Sequence, residues 1–212
     1  MNKILKFTKE QAENMVFMSD LHRKHDRDFV WGVRGFEDKD THWSFIKDQW
    51  NEDFNEDTII MNLGDVCFGD ARMEAFGNHN SGVMQAYKMA KAHAGYPENV
   101  EVYPIKHNKV TFCGEDLVIR VGKKEIHMSH FAKKIWDHVG YGSWHLSGHS
   151  HGNDWERNVE SNTEGKCFDV GVDNALKYRG KFYFTYQDIL DIMEKKDIVL
   201  HDHHDDNTNQ SR

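Results

Sequence analysis

Aspartate and histidine side chains that could bind a metal ion occur in four short motifs. In Asp20-Leu21-His22 the two side chains are two residues apart, a spacing that turns both to the same side of an extended segment. Asp65 follows Gly64, His130 stands alone, and Gly148-His149-Ser150-His151-Gly152 presents two imidazoles between glycines, whose backbone freedom suits a tight turn. Carboxylates combined with imidazoles favour Mn, Fe, Zn or Ni over Ca. Each motif is weak alone, but together they predict a metal centre.

Strand-like segments precede all four motifs. Met15–Met18 and Thr58–Leu63 are apolar runs typical of buried strands, and each leads directly to an acidic motif. The predicted strands Glu125–His130 and Trp144–Ser147 end at or just before the histidine motifs. Because open α/β sheets hold ligands at the carboxyl ends of their strands, we expect the four motifs to meet at one edge.

The remaining pattern predicts a mixed α/β domain that begins with alternating strands and helices and continues with further strands. Thr41 is the predicted N-cap of a helix whose apolar positions run to Phe54. The other predicted elements are a helix over Ser81–Ala94, a strand over Val100–Ile105, a hairpin formed by Val110–Cys113 and Leu117–Val121, strands over Cys167–Gly171 and Phe182–Phe184, and a last helix from Thr185 to Lys195.

These motifs and their order resemble those of the calcineurin-like metallophosphoesterases, whose pattern is D-x-H, G-D, G-N-H-[DE], H and G-H-x-H. The chain is most similar to the small phage and bacterial members. The resemblance includes Arg34-Gly35-Phe36, Trp50-Asn51, the block from Met128 to Asn153 and Phe168-Asp169-Val170-Gly171-Val172-Asp173.

The resemblance implies a four-layer α/β/β/α sandwich, which we expect over residues 1–196. The polar composition of the C-terminal residues predicts a disordered tail over 197–212. The resemblance also implies two divalent metal ions as cofactors, with Mn²⁺ favoured and Fe, Zn or Ni as alternatives. Asp20, His22 and His151 would hold the first ion, and Asp65 would bridge both. His130, His149 and an asparagine would hold the second ion.

The G-N-H motif is the place where the chain departs from the family pattern. Gly77-Asn78-His79 matches the letters but follows Asp65 closely, whereas the predicted strand before the motif leads to His107-Asn108 instead. Two interpretations stay open: Asn78 is the ligand and His79 the general acid, or Asn108 and His107 take these roles. In both interpretations the acidic residue that usually follows is missing.

The function implied by the resemblance is hydrolysis of a phosphodiester or phosphomonoester by a hydroxide that two metal ions share. Arg34, Arg72 and His25 are candidates for contact with the substrate. Two alternatives are a catalytically weak or inactive relative that serves as a binding or scaffold protein, and a nuclease.

Composition restricts the partners. The formal net charge of −8 argues against a dedicated nucleic-acid-binding protein, which usually has a basic surface, so small phosphate esters are the expected substrates. No apolar run approaches the roughly 18 residues of a membrane span, and the three cysteines form no CxxC motif. We therefore expect a cytoplasmic protein without a membrane partner, and the sequence does not indicate an oligomeric state.

Overall fold

Two five-stranded sheets form the frame of the described part of the protein. The structure is a computed structural model that describes residues 4–23, 25–55, 57–66, 84–87, 110–112, 116–153 and 164–200. The strands are β1 (Leu5–Phe7), β2 (Met15–Met18), β3 (Ile59–Asn62), β4 (Met84–Tyr87), β5 (Val110–Phe112), β6 (Asp116–Val121), β7 (Lys124–Ser129), β8 (Trp144–Ser147), β9 (Cys167–Asp169) and β10 (Phe184–Thr185). The helices are α1 (Lys9–Glu13), α2 (Asp28–Trp31), α3 (Lys39–Asp53), α4 (Val172–Arg179) and α5 (Tyr186–Glu194), with a 3₁₀ turn over Val139–Tyr141.

Both sheets mix parallel and antiparallel strands. The first sheet has the order β1-β6-β7-β8-β9, in which β7, β8 and β9 run parallel. The second has the order β10-β2-β3-β4-β5, in which β2 and β3 run parallel. The predicted mixed α/β class is confirmed.

Apolar residues of the two sheets share one core. Phe17 and Met61 from the second sheet belong to the same buried cluster as Ile119 and Leu146 from the first. Because successive side chains of a strand point to opposite faces, the neighbouring residues of β2 and β3 face the other way.

The opposite face of the second sheet packs against helix α3. Val16 and Ile60 lie there in a second buried cluster with Ile46, Trp50 and Phe54. Both faces of β2 and β3 are thus buried, which is the physical reason why these strands read as unbroken apolar runs.

Helix α3 begins earlier than the sequence pattern predicts. Its N-cap is Asp38, whose carboxylate accepts hydrogen bonds from the backbone N–H groups of Asp40 and Thr41. The Thr41 hydroxyl accepts a hydrogen bond from the backbone of Asp38 in return. Thr41 is therefore the third helical residue of a capping box, and its prediction as the N-cap is wrong.

The helix predicted over Ser81–Ala94 is wrong where the structure describes it, because Met84–Tyr87 is strand β4. This strand pairs antiparallel with β3 on one side and β5 on the other. An apolar stripe of this length cannot separate a helix from a strand, and here the pairing with neighbours decides.

The predicted hairpin is also wrong, since its two strands belong to different sheets. β5 pairs with β4, whereas β6 pairs with β1 and β7. The observed hairpin joins β6 to β7 through Gly122-Lys123, and Gly122 has the positive φ of 58° that such a two-residue turn needs. The strand predicted over Val100–Ile105 lies outside the described residues.

The last helix agrees with its prediction. Thr185 caps α5, and Ile189, Ile192 and Met193 are buried on one face. Beyond it, Ile198, Val199 and Leu200 lie close to the backbone positions of Gly142, Gly165 and Gly140. Residues 201–212 of the predicted tail lie outside the described part of the chain. Among the described helices, none combines the length and the apolar character that a membrane crossing requires.

Candidate metal centre

The predicted ligand motifs meet where the parallel strands of both sheets end. The segments after β2 and β3 stay paired, because Asp20 N–H donates to Gly64 O at 3.0 Å and His22 N–H donates to Asp65 O at 2.9 Å. In the first sheet, Gly148 N–H donates to His130 O at 2.9 Å. These backbone contacts hold the motifs at one edge of the fold, as predicted.

One group of potential ligands consists of Asp20, His22 and His151. The Nε2 atoms of the two histidines are 3.0 Å apart, and each is 3.7 Å from Asp20 Oδ1. Ligand atoms that bind one ion at about 2.0–2.2 Å can be at most about 4.4 Å apart. This group therefore fits a single metal ion, and it is the set that the resemblance implies for the first ion.

A second group consists of Asp20, Asp65 and His130, so Asp20 belongs to both groups. Asp65 Oδ2 is 3.7 Å from His130 Nε2 and 3.5 Å from His22 Nε2. This oxygen thus lies between a histidine of each group. The residue that belongs to both groups is Asp20, and the expectation that Asp65 bridges two ions stays a prediction.

Unpartnered acidic oxygens provide a further test of the fit. Oδ1 of Asp20 and Oδ1 of Asp65 are buried and accept no hydrogen bond from the described residues. A buried acceptor without a partner costs roughly 1–3 kcal/mol, and more when it is charged. A cation between these carboxylates would remove that cost, so the donor set fits a divalent metal.

Backbone strain coincides with the same residues. Asp20, His22, Asp65, His149 and His151 have φ values between 47° and 73°, in the left-handed region that non-glycine residues rarely adopt. In the described part of the chain, His138 is the only other non-glycine residue with positive φ. Such strain costs of order 1–3 kcal/mol per residue and tends to gather at functional sites, where surrounding structure enforces it.

Close backbone approach explains two glycines of the centre. A Cβ atom at Gly148 would lie 2.1 Å from Ser19 Oγ and 2.7 Å from Asp20 Oδ2. One at Gly171 would lie 3.1 Å from the same carboxylate oxygen. Only residues without a side chain let the loops after β8 and β9 close around Asp20.

A polar contact on the second ring nitrogen sets the orientation of two ligand imidazoles, through a hydrogen bond for His130 and an ion-pair contact for His151. His130 Nδ1 lies 3.0 Å from Leu63 O and donates to it, so Nε2 is left with its lone pair toward Asp65. His151 Nδ1 lies 3.2 Å from Asp173 Oδ2, which leaves its Nε2 toward His22. Such partners on the second ring nitrogen are usual for metal-binding histidines.

Arg34 holds the carboxylate that orients His151. Its Nε and Nη2 donate to the two oxygens of Asp173 at 3.0 and 2.7 Å, and Nη2 also donates to Asp20 O at 2.8 Å. Its Nη1 lies 3.0 Å from His42 Nε2, and the side chain is fully buried. The guanidinium is thus engaged inside the protein, and its predicted contact with substrate stays a prediction.

Asp169 plays a similar part for the histidine loop. Its carboxylate accepts hydrogen bonds from the Ser150 backbone N–H at 3.0 Å, from the Ser150 hydroxyl and from Gly171 N–H at 2.6 Å. The role of Asp169 and Asp173 was not predicted. The signal was present in Phe168–Asp173, where two aspartates flank the end of a predicted strand.

The protonation preferences of the ligands reflect their burial. Burial raises the pKa of Asp65 to about 7, and the negative charge of Asp20 adds to this effect. Burial lowers the pKa of His22 to about 2, helped by the nearby His151 and Arg34. His22 is therefore neutral, the form in which an imidazole binds metal.

Two predicted site residues lie beside these groups without belonging to them. The His149 ring is 5.2 Å from that of His130, and its backbone N–H donates to Asp20 Oδ2 at 2.9 Å. His25 Nδ1 lies 3.3 Å from His22 Nδ1. His149 as a ligand and His25 as a substrate contact stay predictions.

Both interpretations of the G-N-H motif rest on residues outside the described part of the chain, namely Asn78 with His79 and Asn108 with His107. The candidate substrate contact Arg72 also lies outside it.

Comparisons with known proteins identify no relative. No family model, no curated protein and no solved structure matches this chain.

Proposed function

We propose that this chain is a metal-dependent phosphoesterase that hydrolyses a small phosphodiester or phosphomonoester, as its resemblance to the calcineurin-like metallophosphoesterases implies. The observation that carries the proposal is the overlap of the two ligand groups in Asp20, together with the position of Asp65 Oδ2 between His22 and His130. Overlapping groups of this kind suit two ions side by side, and paired ions about 3.5–4 Å apart are typical of phosphoester hydrolysis.

The ligand set also fits the charge of the substrate. Two divalent ions with the two carboxylates leave a net charge of about +2, because the other ligands are neutral imidazoles. When bound, such ions polarise a phosphoryl oxygen and lower the pKa of an attacking water. We favour Mn²⁺, with Fe, Zn or Ni as alternatives.

The roles of the chain's own residues follow from their positions. Asp20, His22 and His151 would hold one ion, and Asp20, Asp65 and His130 the other. Asp65 would also bridge both ions, as the resemblance implies, and its Oδ2 lies between His22 and His130. Leu63 O and Asp173 fix the two histidines whose second ring nitrogen they contact. His79, or alternatively His107, remains our candidate for protonating the leaving oxygen.

We also infer that the complete fold is the four-layer α/β/β/α sandwich. The described residues supply two sheets with a shared core and a helix, α3, on the outer face of one of them. On the outer face of the other sheet, Lys133 N–H donates to His145 Nε2 at 3.0 Å and the ring of Trp136 lies 5.3 Å from the His145 ring.

The test combines metal content with turnover. Protein loaded with Mn²⁺ should contain two ions per chain, as measured by elemental mass spectrometry. It should also hydrolyse bis(p-nitrophenyl) phosphate or p-nitrophenyl phosphate. Asp65→Asn should abolish both properties, whereas Asp26→Asn should leave both intact, because Asp26 lies in an exposed ion pair with Lys39. Absence of hydrolysis with every divalent metal would overturn the proposal.

A catalytically inactive binding protein is the second candidate. It is favoured by one observation, the position of His149 outside both ligand groups among the described residues, since the resemblance implies a ligand there. This alternative predicts metal binding without turnover, so the same experiment separates the two. A nuclease would in addition cleave DNA or RNA, which the net charge of −8 disfavours.

A further inference from the structure

Two exposed phenylalanine rings lie beside the metal centre, one next to each ligand group. Phe131 directly follows the ligand His130 and is 51% exposed, and Phe29 of helix α2 is 55% exposed. A single exposed apolar side chain needs no explanation, because much of any protein surface is apolar. The positions of these two rings relative to the ligands are what set them apart.

Phe131 contacts the second ligand group through its ring. Its centroid lies 4.9 Å from that of His130 and 4.6 Å from that of His149, at steep interplanar angles of 79° and 65°. The backbone at this position is fixed, since Phe131 O accepts a hydrogen bond from the Ser129 hydroxyl at 2.7 Å. Half of this ring is therefore held open to solvent directly beside two imidazoles of the site.

Phe29 reaches the first ligand group through one intervening ring. Its centroid lies 5.3 Å from that of His25 in an edge-to-face arrangement, and His25 lies 5.2 Å from His22. The two phenylalanines thus stand at the two ends of a chain of contacts that runs through the ligands.

Each ring is followed four residues later by another exposed apolar side chain. Val33 is 68% exposed and Ile135 is 48% exposed. An ester bound at the metals through its phosphate would have its organic group beside this apolar surface. Because phenylalanine rings gain most from another ring in stacked or edge-to-face contact, the fitting group is planar and aromatic.

We propose that Phe131 and Phe29 determine substrate specificity by packing against a planar aromatic group of the phosphate ester, such as a nucleobase or an aryl ring. This inference rests on the proposed function, because it places the phosphate at the metal centre. The two residues are specificity determinants, and neither is assigned a part in bond breaking.

Binding of two non-hydrolysable phosphonates to the Mn²⁺-loaded protein tests the inference without relying on turnover. Phenylphosphonate and methylphosphonate share the same anionic group and differ in the ring. By isothermal titration calorimetry, phenylphosphonate should bind about tenfold more tightly to the wild type, in line with the usual effect of one aromatic stacking contact.

Substitution should remove the preference and leave the phosphonate contact intact. Of Phe131→Ala and Phe29→Ala, the variant that removes the ring in contact with the phenyl group should reduce the ratio of the two dissociation constants severalfold, with the methylphosphonate constant changed less than twofold. Phe131→Tyr should retain the preference, because it keeps the ring. Tyr141→Ala is the matched control, since Tyr141 is an aromatic side chain that is 90% exposed in the 3₁₀ turn before β8, whereas the ligand His151 lies beyond the other end of that strand.

The outcomes separate this inference from the proposed function. Equal binding of both phosphonates to the wild type, or an unchanged ratio in both alanine variants, would overturn the aromatic preference even if simple esters are hydrolysed. Loss of bound Mn²⁺ in Phe131→Ala would also overturn it, by showing that the ring supports the ligands instead. Failure to hydrolyse any ester, with the phosphonate preference present, would count against the proposed function.

Discussion

Carboxylates and histidines gather at both ends of strand β7, and the two clusters differ in what satisfies the carboxylate. Near its start, Glu125 Oε1 lies 3.0 Å from His127 Nε2 and 2.7 Å from His138 Nδ1, while Oε2 lies 2.5 Å from Arg120 Nη2. Just past its end, His130 faces Asp65, whose buried Oδ1 has no hydrogen-bond donor among the described residues.

The charges of the two clusters follow from this difference. At Glu125 burial works to raise the pKa, but hydrogen bonds from His138, Arg120 and His127 outweigh it and hold the pKa at about 2. At Asp65 burial raises the pKa to about 7, with Asp20 acting in the same direction. The described residues supply Glu125 with an arginine and two histidines, whereas they offer Asp65 Oδ1 no hydrogen-bond donor.

Residue types alone therefore do not make a metal site. Both clusters contain acidic and histidine side chains. Only the cluster at the ligand edge, the edge of the fold that holds the two ligand groups, combines unpartnered oxygens with several residues of positive φ. A buried carboxylate oxygen without a donor, rather than the histidine count, therefore marks the place for a metal ion.

The largest expected effect comes from replacing one carboxylate in each cluster. Asp20→Asn should reduce the specific activity by at least about 100-fold and remove bound Mn²⁺, because both ligand groups share Asp20. Glu125→Gln should leave metal content and activity unchanged. Metal analysis measures the bound Mn²⁺, and hydrolysis of bis(p-nitrophenyl) phosphate measures the activity. Loss of Mn²⁺ in Glu125→Gln would contradict the distinction between the two clusters.

A smaller effect is expected from the carboxylate that orients His151. Asp173→Asn removes the charge that Arg34 and His151 share, so the Mn²⁺ affinity should fall about 10- to 100-fold, as for other partners of metal-binding histidines. Titration with Mn²⁺ followed by calorimetry measures the affinity. Asp188→Asn is a matched control, because Asp188 also forms an ion pair with an arginine, Arg179, and caps helix α5 outside both ligand groups. An equal loss of Mn²⁺ affinity in Asp188→Asn would refute the specific role of Asp173.

As the pH falls, metal binding should weaken before the ion pairs of Glu125 are lost. Since the pKa of Asp65 is about 7 in the metal-free protein, a metal ion must displace a proton below that pH. The Mn²⁺ affinity should therefore rise at least about tenfold per pH unit between pH 5.5 and 7, since His151, whose pKa Asp173 and Asp20 raise against the effect of burial, must also lose its proton. An affinity independent of pH over this range, measured by calorimetry in buffers of matched ionic strength, would contradict this assignment.

The smallest expected effect is on the free energy of unfolding when Glu125 is replaced. The folded pKa of Glu125 is about 2, below the unfolded value of 4.5, so its contribution is present above pH 4.5 and is lost as the pH falls toward 2. Glu125→Gln should lower the free energy of unfolding by roughly 1 kcal/mol at pH 7, because Arg120 and His138 are partly exposed. Urea unfolding at pH 7 and pH 3 should show the difference shrinking at the lower pH. An equal difference at both values would show that the ion pairs are not its source.

Much of the ligand edge could be predicted from the sequence because its motifs are local. Asp20-Leu21-His22 and His149-Ser150-His151 carry their spacing with them, and the apolar runs before them identify the strands that end there. The strands β2, β3, β7 and β8 form where the pattern predicts them, since burial on one or both faces leaves a periodic or continuous apolar signal.

Elements whose identity depends on distant partners could not be predicted in this way. Met84–Tyr87 is a strand because β3 and β5 pair with it, and β6 turns away from β5 to join β1 and β7. Such pairings join residues far apart in the chain, so a short stretch of sequence does not indicate which strand it will pair with.

The sequence by itself determined the types and order of the ligand side chains and the strands that end beside them. Only the tertiary structure decided that Asp20 is shared by two groups, that Arg34 is buried against Asp173 and that two phenylalanine rings stand exposed next to the ligands. The physical reason is that shared coordination, ion pairing and exposure arise from the meeting of two sheets. Residue spacing sets which side chains are available, and packing sets which of their atoms remain without a partner.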